Sequence, residues 1–401
     1  MSRDAHEPPD PMSWEDAPRP HGLRRWLMPL IAGAVVVAVA ALVLASRSGE
    51  AGRLAIQPTA APRDRSAAEA SESTALSPRA LSPFAVATET AGDGPLLDGA
   101  PDLTLVVGHR ERLALIEVAT GDTRQMRLPR SRQPPPGLDS MFRVGSDLIV
   151  NHHNAVIRVT PTEARPTQIA VNRHAIPTFD DRSLWVVDEL VSAIPTTATR
   201  VAPDGSVIDR VRLPAVARPI AGRDDGLLVS APGGVGLVSG DDAAEVTSTG
   251  ELVATDGERI ARVDCEAAVR CLIVLGTLDD PDQVRAQLAE EHIPAGYYGL
   301  PIGAYSPDGR WLALPLYQVD NVGALERPWI AVIDTLTASE VTRVQGPFTQ
   351  GFSALPLAWS ANSEWLFVGS EDGITTWNAT DGQTRPLRLN MEAPRAIAVL
   401  G

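Results

Sequence analysis

The chain contains no lysine: all 35 basic side chains are arginine, against 50 acidic ones. Arginine has GC-rich codons and lysine does not, so this absence speaks of a source genome and not of mechanism. Clustered cations are missing too. The formal charge is −15, and from residue 101 onward 38 acids face 26 arginines, a balance of −12. Phosphate binding needs grouped cations that release counterions, and the nearest groupings, Arg124 to Arg132 and Arg210 to Arg223, are diluted by acids and prolines. Nucleic acid is therefore not an expected partner.

Cysteine is almost absent. Cys265 and Cys271 stand alone, and no further cysteine or nearby histidine completes a tetrahedral metal site with them. Two readings stay open. If residues 259–264 and 271–275 are consecutive strands, the pair sits at the ends of a tight connection and within disulfide reach, which implies an oxidising compartment. The alternative is two buried free thiols.

Histidine is scarce as well. Beyond residue 100 there are His109, His152, His153, His174 and His292. Neighbouring strand residues point to opposite faces, so His152 and His153 do not chelate. Gly-x-Ser-x-Gly elbows, His-Glu-x-x-His and nucleotide fingerprints are missing, and Gly233-Gly234-Val235-Gly236 leads into a strand-like run, which makes it a hairpin turn. No catalytic residue, cofactor site or metal ligand is assigned.

One long hydrophobic run exists. Residues 26–46, WLMPLIAGAVVVAVAALVLAS, carry no charge and are bounded by Arg25 and Arg47. At 1.5 Å per residue they span roughly 30 Å, the hydrocarbon thickness of a bilayer. A cleaved signal peptide is the competing reading, supported by the small residues near Ala45 and opposed by the length of the run. Arginines are balanced near the span, four before it and four following closely, Arg47, Arg53, Arg63 and Arg65; Arg24 and Arg25 abut it, and together with the cysteine pair they favour a cytoplasmic N-terminus. Residues 1–25, rich in proline and charge, are expected as a disordered cytoplasmic tail. Residues 47–100, rich in Ala, Ser, Thr, Pro and Gly, are expected as a flexible stalk.

From residue 101 to 401 the pattern is short β-branched runs between turn clusters such as Pro203-Asp204-Gly205, Asp256-Gly257, Pro307-Asp308-Gly309 and Asp381-Gly382. Two stretches repeat. Ala304-Tyr305-Ser306-Pro307-Asp308-Gly309-Arg310-Trp311-Leu312 aligns with Ala358-Trp359-Ser360-Ala361-Asn362-Ser363-Glu364-Trp365-Leu366, each a strand, a tight turn and a strand. A second echo joins the segments from Ile116 to Gly121, Ile333 to Ala338 and Trp377 to Gly382. Repeats of this size mark stacked β units.

The stretch from Tyr305 to Ala313 resembles the repeat of TolB-type and WD-repeat-like β-propellers. The resemblance implies an all-β propeller that serves as a protein-binding platform, here as the ectodomain of a single-pass bacterial membrane protein, and it brings no catalytic residue. About 300 residues divided by ~40 to 45 per four-stranded blade gives seven blades, with eight the nearest alternative. The blades are expected to begin near residues 102, 141, 176, 218, 252, 302 and 354. A last strand over 395–400 is expected to complete the first blade as its innermost strand.

Between the fifth and sixth blades, residues 281–292 read as a short helix, and the loop beyond offers Tyr297 and Tyr298 either as binding anchors or as rings packed over a blade edge. The expected function is that of a non-enzymatic platform at the cell membrane for an envelope protein or polymer. An extracytoplasmic hydrolase or lyase on a propeller scaffold is the alternative.

Overall fold

The computed structural model describes residues 79–80, 88–99 and 102–400, the last with interruptions at 110, 129–137, 153–154, 161–165, 172, 189–193, 232–233, 241–244, 249, 267–269, 281–283, 288–291, 294–302, 319–328, 347–355 and 390–392. The expected tail (1–25), membrane span (26–46) and first part of the stalk lie outside these residues. Among the described residues no helix is long and apolar enough to cross a membrane.

Seven antiparallel sheets follow one another along the chain, and in the third, fourth, fifth and seventh the spatial order of strands is the chain order throughout. After the first sheet, the innermost strands begin at Leu138, His174, Arg218, Glu251, Ala304 and Leu357, close to the expected blade starts. The first sheet is assembled from both ends of the described chain. Ala396–Leu400 pairs with Thr104–Gly108 from Leu400 opposite Thr104 to Ala396 opposite Gly108. It also touches the innermost strands of the second and seventh sheets, Leu138–Val144 and Leu357–Trp359. The ring is thus closed, and the fold is a seven-bladed β-propeller.

Every blade is buried on both faces, because successive strand residues point to opposite neighbours. In Thr104–Gly108, Leu105 and Val107 pack with Trp365 and Phe367 of the seventh blade, while Val106 packs with Leu138 and Leu148 of the second. The same division recurs around the ring and gives seven apolar clusters, one per pair of neighbouring blades. At ~25 cal/mol per Å2 of apolar surface, these interfaces are the main favourable term for a chain whose blades share no single central core.

The two sequence echoes are repeated hydrogen-bond motifs. Ser306 Oγ donates to Asp308 Oδ1 (2.6 Å) and accepts from Trp311 N (2.9 Å); Ser360 Oγ donates to Asn362 Oδ1 (2.7 Å) and accepts from Trp365 N (2.9 Å). In the second echo, Asp334 Oδ1 accepts from Leu336 N and Asn378 Oδ1 from Thr380 N, and each turn then passes through a left-handed residue, Ala338 or Gly382.

Two expectations are corrected. Part of the segment 281–292 expected as a helix is strand: Val284–Gln287 is the outermost strand of the fifth blade, running opposite Leu272 to Leu275, and His292–Ile293 pairs with Gln318 and Tyr317. Helix propensity is a weak prior, and here the open edge of a three-stranded sheet outweighs it. The ordered fold also begins earlier than residue 101. Arg79–Ala80 adds a fifth strand to the second blade and Thr88–Thr90 to the first, and Leu96 and Leu97 are buried against the first and seventh blades. Both additions cover outer edges that would otherwise present unpaired backbone groups.

Among the described residues the third blade's outer strand, Val207–Leu213, has no such cover and is blunted locally instead. Arg210 N is taken by the carboxylate of Asp209 (2.7 Å), and Arg212 N donates to Gly240 O in the fourth blade (3.3 Å).

Candidate functional site

A meander places its connections at alternate ends. Those between first and second, and third and fourth, strands of each blade lie at one end of the ring, the turn face. Those between second and third strands, and from each blade to the next, lie at the other, the loop face.

The turn face is laced together across blades. Arg143 pairs with Asp181 (3.4 Å), joining the second blade to the third. Arg200 is the hub of the third: its guanidinium contacts Asp180 Oδ2 (2.6 Å) and Ser183 Oγ (2.8 Å), and reaches Asp224 of the fourth blade (3.2 Å). Arg259 pairs with Asp256 (2.7 Å) and donates to Asp308 O in the sixth blade (3.4 Å). A side chain at Gly309, which holds φ +70°, would overlap that guanidinium. Asp308 N then donates to Ser363 Oγ of the seventh blade (3.0 Å).

Phe179 lies across the inner rim of this face. It belongs to the first turn of the third blade, its N–H donates to Gly222 O of the fourth (3.2 Å), and its ring covers Gly257 of the fifth. Gly257 holds φ +96°, and a Cβ there would come within 2.4 Å of the ring, so only glycine fits beneath it. The ring thus spans three blades at the mouth of the channel.

Two partly buried turn-face carboxyls, Asp180 and Asp308, are among those held below their ordinary value of 3.8. For Asp180, burial alone would raise it, but the Arg182 N–H, the Arg200 guanidinium and the Ser183 hydroxyl and N–H outweigh burial. For Asp308, burial is likewise outweighed, by the Ser306 hydroxyl, the Arg310 N–H, Ser363 and Arg259. The unfolded chain then binds more protons in acid than the fold does. This stabilisation is complete above about pH 5 and is lost as the pH falls through 3.8 and on through the depressed native values. Asp180→Asn is expected to lower the melting temperature at pH 7 and to flatten its decline between pH 5 and 3; an unchanged acid slope would remove Asp180 as a source of acid sensitivity.

The loop face differs in the length of its connections. Of the five connections of ten or more residues, 128–137, 319–328 and 346–356 join strand ends there, 294–303 interrupts the innermost strand of the sixth blade, and 91–103 lies at the turn face between Thr90 and Thr104. Its described anchor is Asn151, buried, whose side chain pairs with Ala175 across the second and third blades: Nδ2 donates to Ala175 O (2.8 Å) and Oδ1 accepts from Ala175 N (2.7 Å). The innermost strand of the sixth blade is split. Ile293 faces Tyr317 and Ala304 faces Ala313, so partners eleven positions apart on one side are four apart on the other. Tyr297 and Tyr298 belong to the intervening stretch and lie outside the described residues. The chain rejoins at Gly303, whose N–H donates to Val253 O of the fifth blade (2.8 Å).

Cys265 and Cys271 are directly opposite each other on the consecutive strands Arg259–Glu266 and Arg270–Thr277. Opposed Cα atoms in such ladders are ~4.5 to 5.5 Å apart, inside the range a disulfide needs. Their side chains lie outside the described residues. His152 is buried and His109 and His174 are half-buried. Among the described residues no three His, Cys, Asp or Glu side chains gather as a metal site requires.

No family model matches the chain, and no curated protein matches it in sequence. Solved structures do. The periplasmic gluconolactonase PpgL of Pseudomonas aeruginosa is 16% identical with TM-score 0.48, over 75% of this chain and 99% of that one. AztD of Citrobacter koseri is 13% identical with TM-score 0.44, over 75% and 98%. Hydrazine synthase of Kuenenia stuttgartiensis is 13% identical with TM-score 0.43, over 62% and 79%. At these scores the likeness assigns no activity.

Phe179 is the residue that sequence reasoning missed. The available signal was an aromatic inside an acidic turn, Phe179-Asp180-Asp181, in a chain with only 4% aromatic residues.

Proposed function

We propose that this chain is a non-enzymatic binding platform, anchored in the cell membrane by residues 26–46 with its N-terminus in the cytoplasm, whose extracytoplasmic propeller holds an envelope protein or polymer. The observation that carries this reading is the inequality of the two faces. The turn face is committed to bonds between blades and is covered at its rim by Phe179, whereas three of the five connections of ten or more residues join strand ends at the loop face. Variable loops on a rigid scaffold are where binding residues concentrate. Tyr297 and Tyr298 are the aromatic anchors assigned to this role.

An extracytoplasmic location also makes Cys265 and Cys271 a disulfide. Alkylation of the unfolded, unreduced protein taken from cells is expected to leave both unlabelled until reductant is added. Labelling before reduction would return them to free thiols.

Capture from crosslinked cells tests the platform directly, with the full chain compared against a version ending at residue 78. A partner retained by the full chain, lost without the propeller and weakened by Tyr297→Ala with Tyr298→Ala supports the reading. Capture no better than the control would overturn it, and metal analysis with substrate screening would then examine the hydrolase or lyase alternative.

A further inference from the structure

The loop face carries a second feature at its outer corner, over the second and third blades. Val171, the last residue of strand Thr167–Val171, is 62% exposed; Ile194, just before strand Thr196–Val201, is 69% exposed; Val216, between the third and fourth blades, is 50% exposed. Pairing of Thr196 with Leu213 places the segments around Ile194 and Val216 side by side. Residues 190–199 and 213–217 contain no charged side chain. Of the charges beside them, Arg173 and Asp188 pair with one another at 2.7 Å, while Glu189, Arg212 and Arg218 border the two stretches.

Val216 also holds φ +58°. A β-branched residue in the left-handed region is costly, and half-exposed it gains little packing that would offset the cost. A glycine or asparagine would relieve the strain. A side chain kept there at a penalty, and pointed largely at solvent, is accounted for by a contact outside the fold.

The chain itself indicates the occupant. Arg79 lies opposite Gln168 and Ala80 opposite Thr167, antiparallel to a strand that ends at Val171 on the loop face. The chain therefore reaches the propeller from the Val171 end. Only residues 47–78 separate Arg79 from the apolar run 26–46, and a stalk of 32 residues with the flexibility expected from its composition would have a root-mean-square span of about 30 Å.

We infer that Val171, Ile194, Pro195 and Val216 form a lipid-contacting corner, through which the propeller rests on the bilayer that holds residues 26–46. The inference depends on the anchor proposed above. A tether this short gives an effective concentration in the millimolar range, so a contact too weak to recruit a free domain is populated in the anchored one. The exposed aliphatics at the turn face do not share this setting. Ile208 is followed by Asp209 and Arg210, and Leu336 lies in the turn between Asp334 and Ser339.

Site-specific photocrosslinking of the full chain in phosphatidylcholine vesicles with tagged acyl chains tests it. Benzoylphenylalanine replaces Ile194, Val216, Ile208, Leu336 or Val36 in turn. Lipid adducts at Ile194 and Val216 are expected to exceed those at Ile208 and Leu336 by about tenfold, with Val36 labelled strongly. Adducts at Val36 but none above the turn-face controls at Ile194 and Val216 would overturn the corner and leave the anchor standing. No adducts at Val36 would overturn the anchor, whatever the corner shows. Photolysis in intact envelopes that yields a protein adduct at Ile194 or Val216, in place of lipid, would reassign the corner to a protein partner and overturn the inference.

Discussion

Removal of residues 394–401 is expected to abolish cooperative folding of the propeller. The strand Ala396–Leu400 is buried along its whole length, and it contributes to the clusters on both sides of the first blade: Ile397 and Val399 toward the seventh, Ala396, Ala398 and Leu400 toward the second. Burial of one isoleucine, one valine and one leucine side chain contributes about 5 to 9 kcal/mol at ~1.5 to 3 each, against a total stability of ~5 to 15 kcal/mol for a typical domain. The deletion also opens the ring and exposes the inner edge of Thr104–Gly108. Ile397→Ala is the graded version, expected to cost ~2 to 4 kcal/mol in denaturant midpoint with an unchanged slope. Near-ultraviolet dichroism and thermal melting report both. A truncated protein that melts with the intact one would show that the ring holds without its closing strand.

That strand was legible because its residues carry the same apolar run as the inner strands of other blades and the first blade was one strand short. The turns were legible for a local reason too. Ser306 to Trp311 and Ser360 to Trp365 each form a motif whose hydrogen bonds reach no further than five residues, so the sequence repeat and the structural repeat coincide. The errors arose where the deciding contact is distant or a pattern is missing. Val284–Gln287 reads as helix from its own residues, and only the open edge of Arg270–Thr277 makes it strand. Thr88–Thr90 is exposed at all three positions, so it has no apolar periodicity to betray it as an edge strand. Arg143 and Asp181 are 38 residues apart, and Phe179 and Gly257 belong to blades that are not even adjacent. No local pattern encodes such pairs. Strand burial on both faces likewise suppresses the polar–apolar alternation that would have fixed each strand's facing, leaving runs such as Leu105-Val106-Val107 that identify a strand without orienting it.

Trp377→Ala is expected to be the most damaging single substitution in the sixth–seventh blade interface, at ~3 to 5 kcal/mol. Trp377 is fully buried, with Trp311 at 5.3 Å and 79° on one side and Trp359 at 6.0 Å and 85° on the other, both edge-to-face. Trp359 in turn donates its Nε1 hydrogen to Ala304 O of the sixth blade at 3.0 Å. Loss of the central ring removes two aromatic contacts, worth ~0.5 to 1.5 kcal/mol each, and leaves a cavity that two flanking tryptophans fixed by other contacts cannot collapse to fill. The conservative replacement separates packing from hydrogen bonding. Trp377 Nε1 has no hydrogen-bond partner among the described residues. Trp377→Phe therefore forfeits ring volume but no bond, and it frees the fold of an unsatisfied donor whose burial is itself unfavourable. Urea unfolding should place the phenylalanine variant well above the alanine variant and within ~2 kcal/mol of the native protein. Equal losses for the two variants would mean that the indole nitrogen holds the interface and that ring packing is secondary.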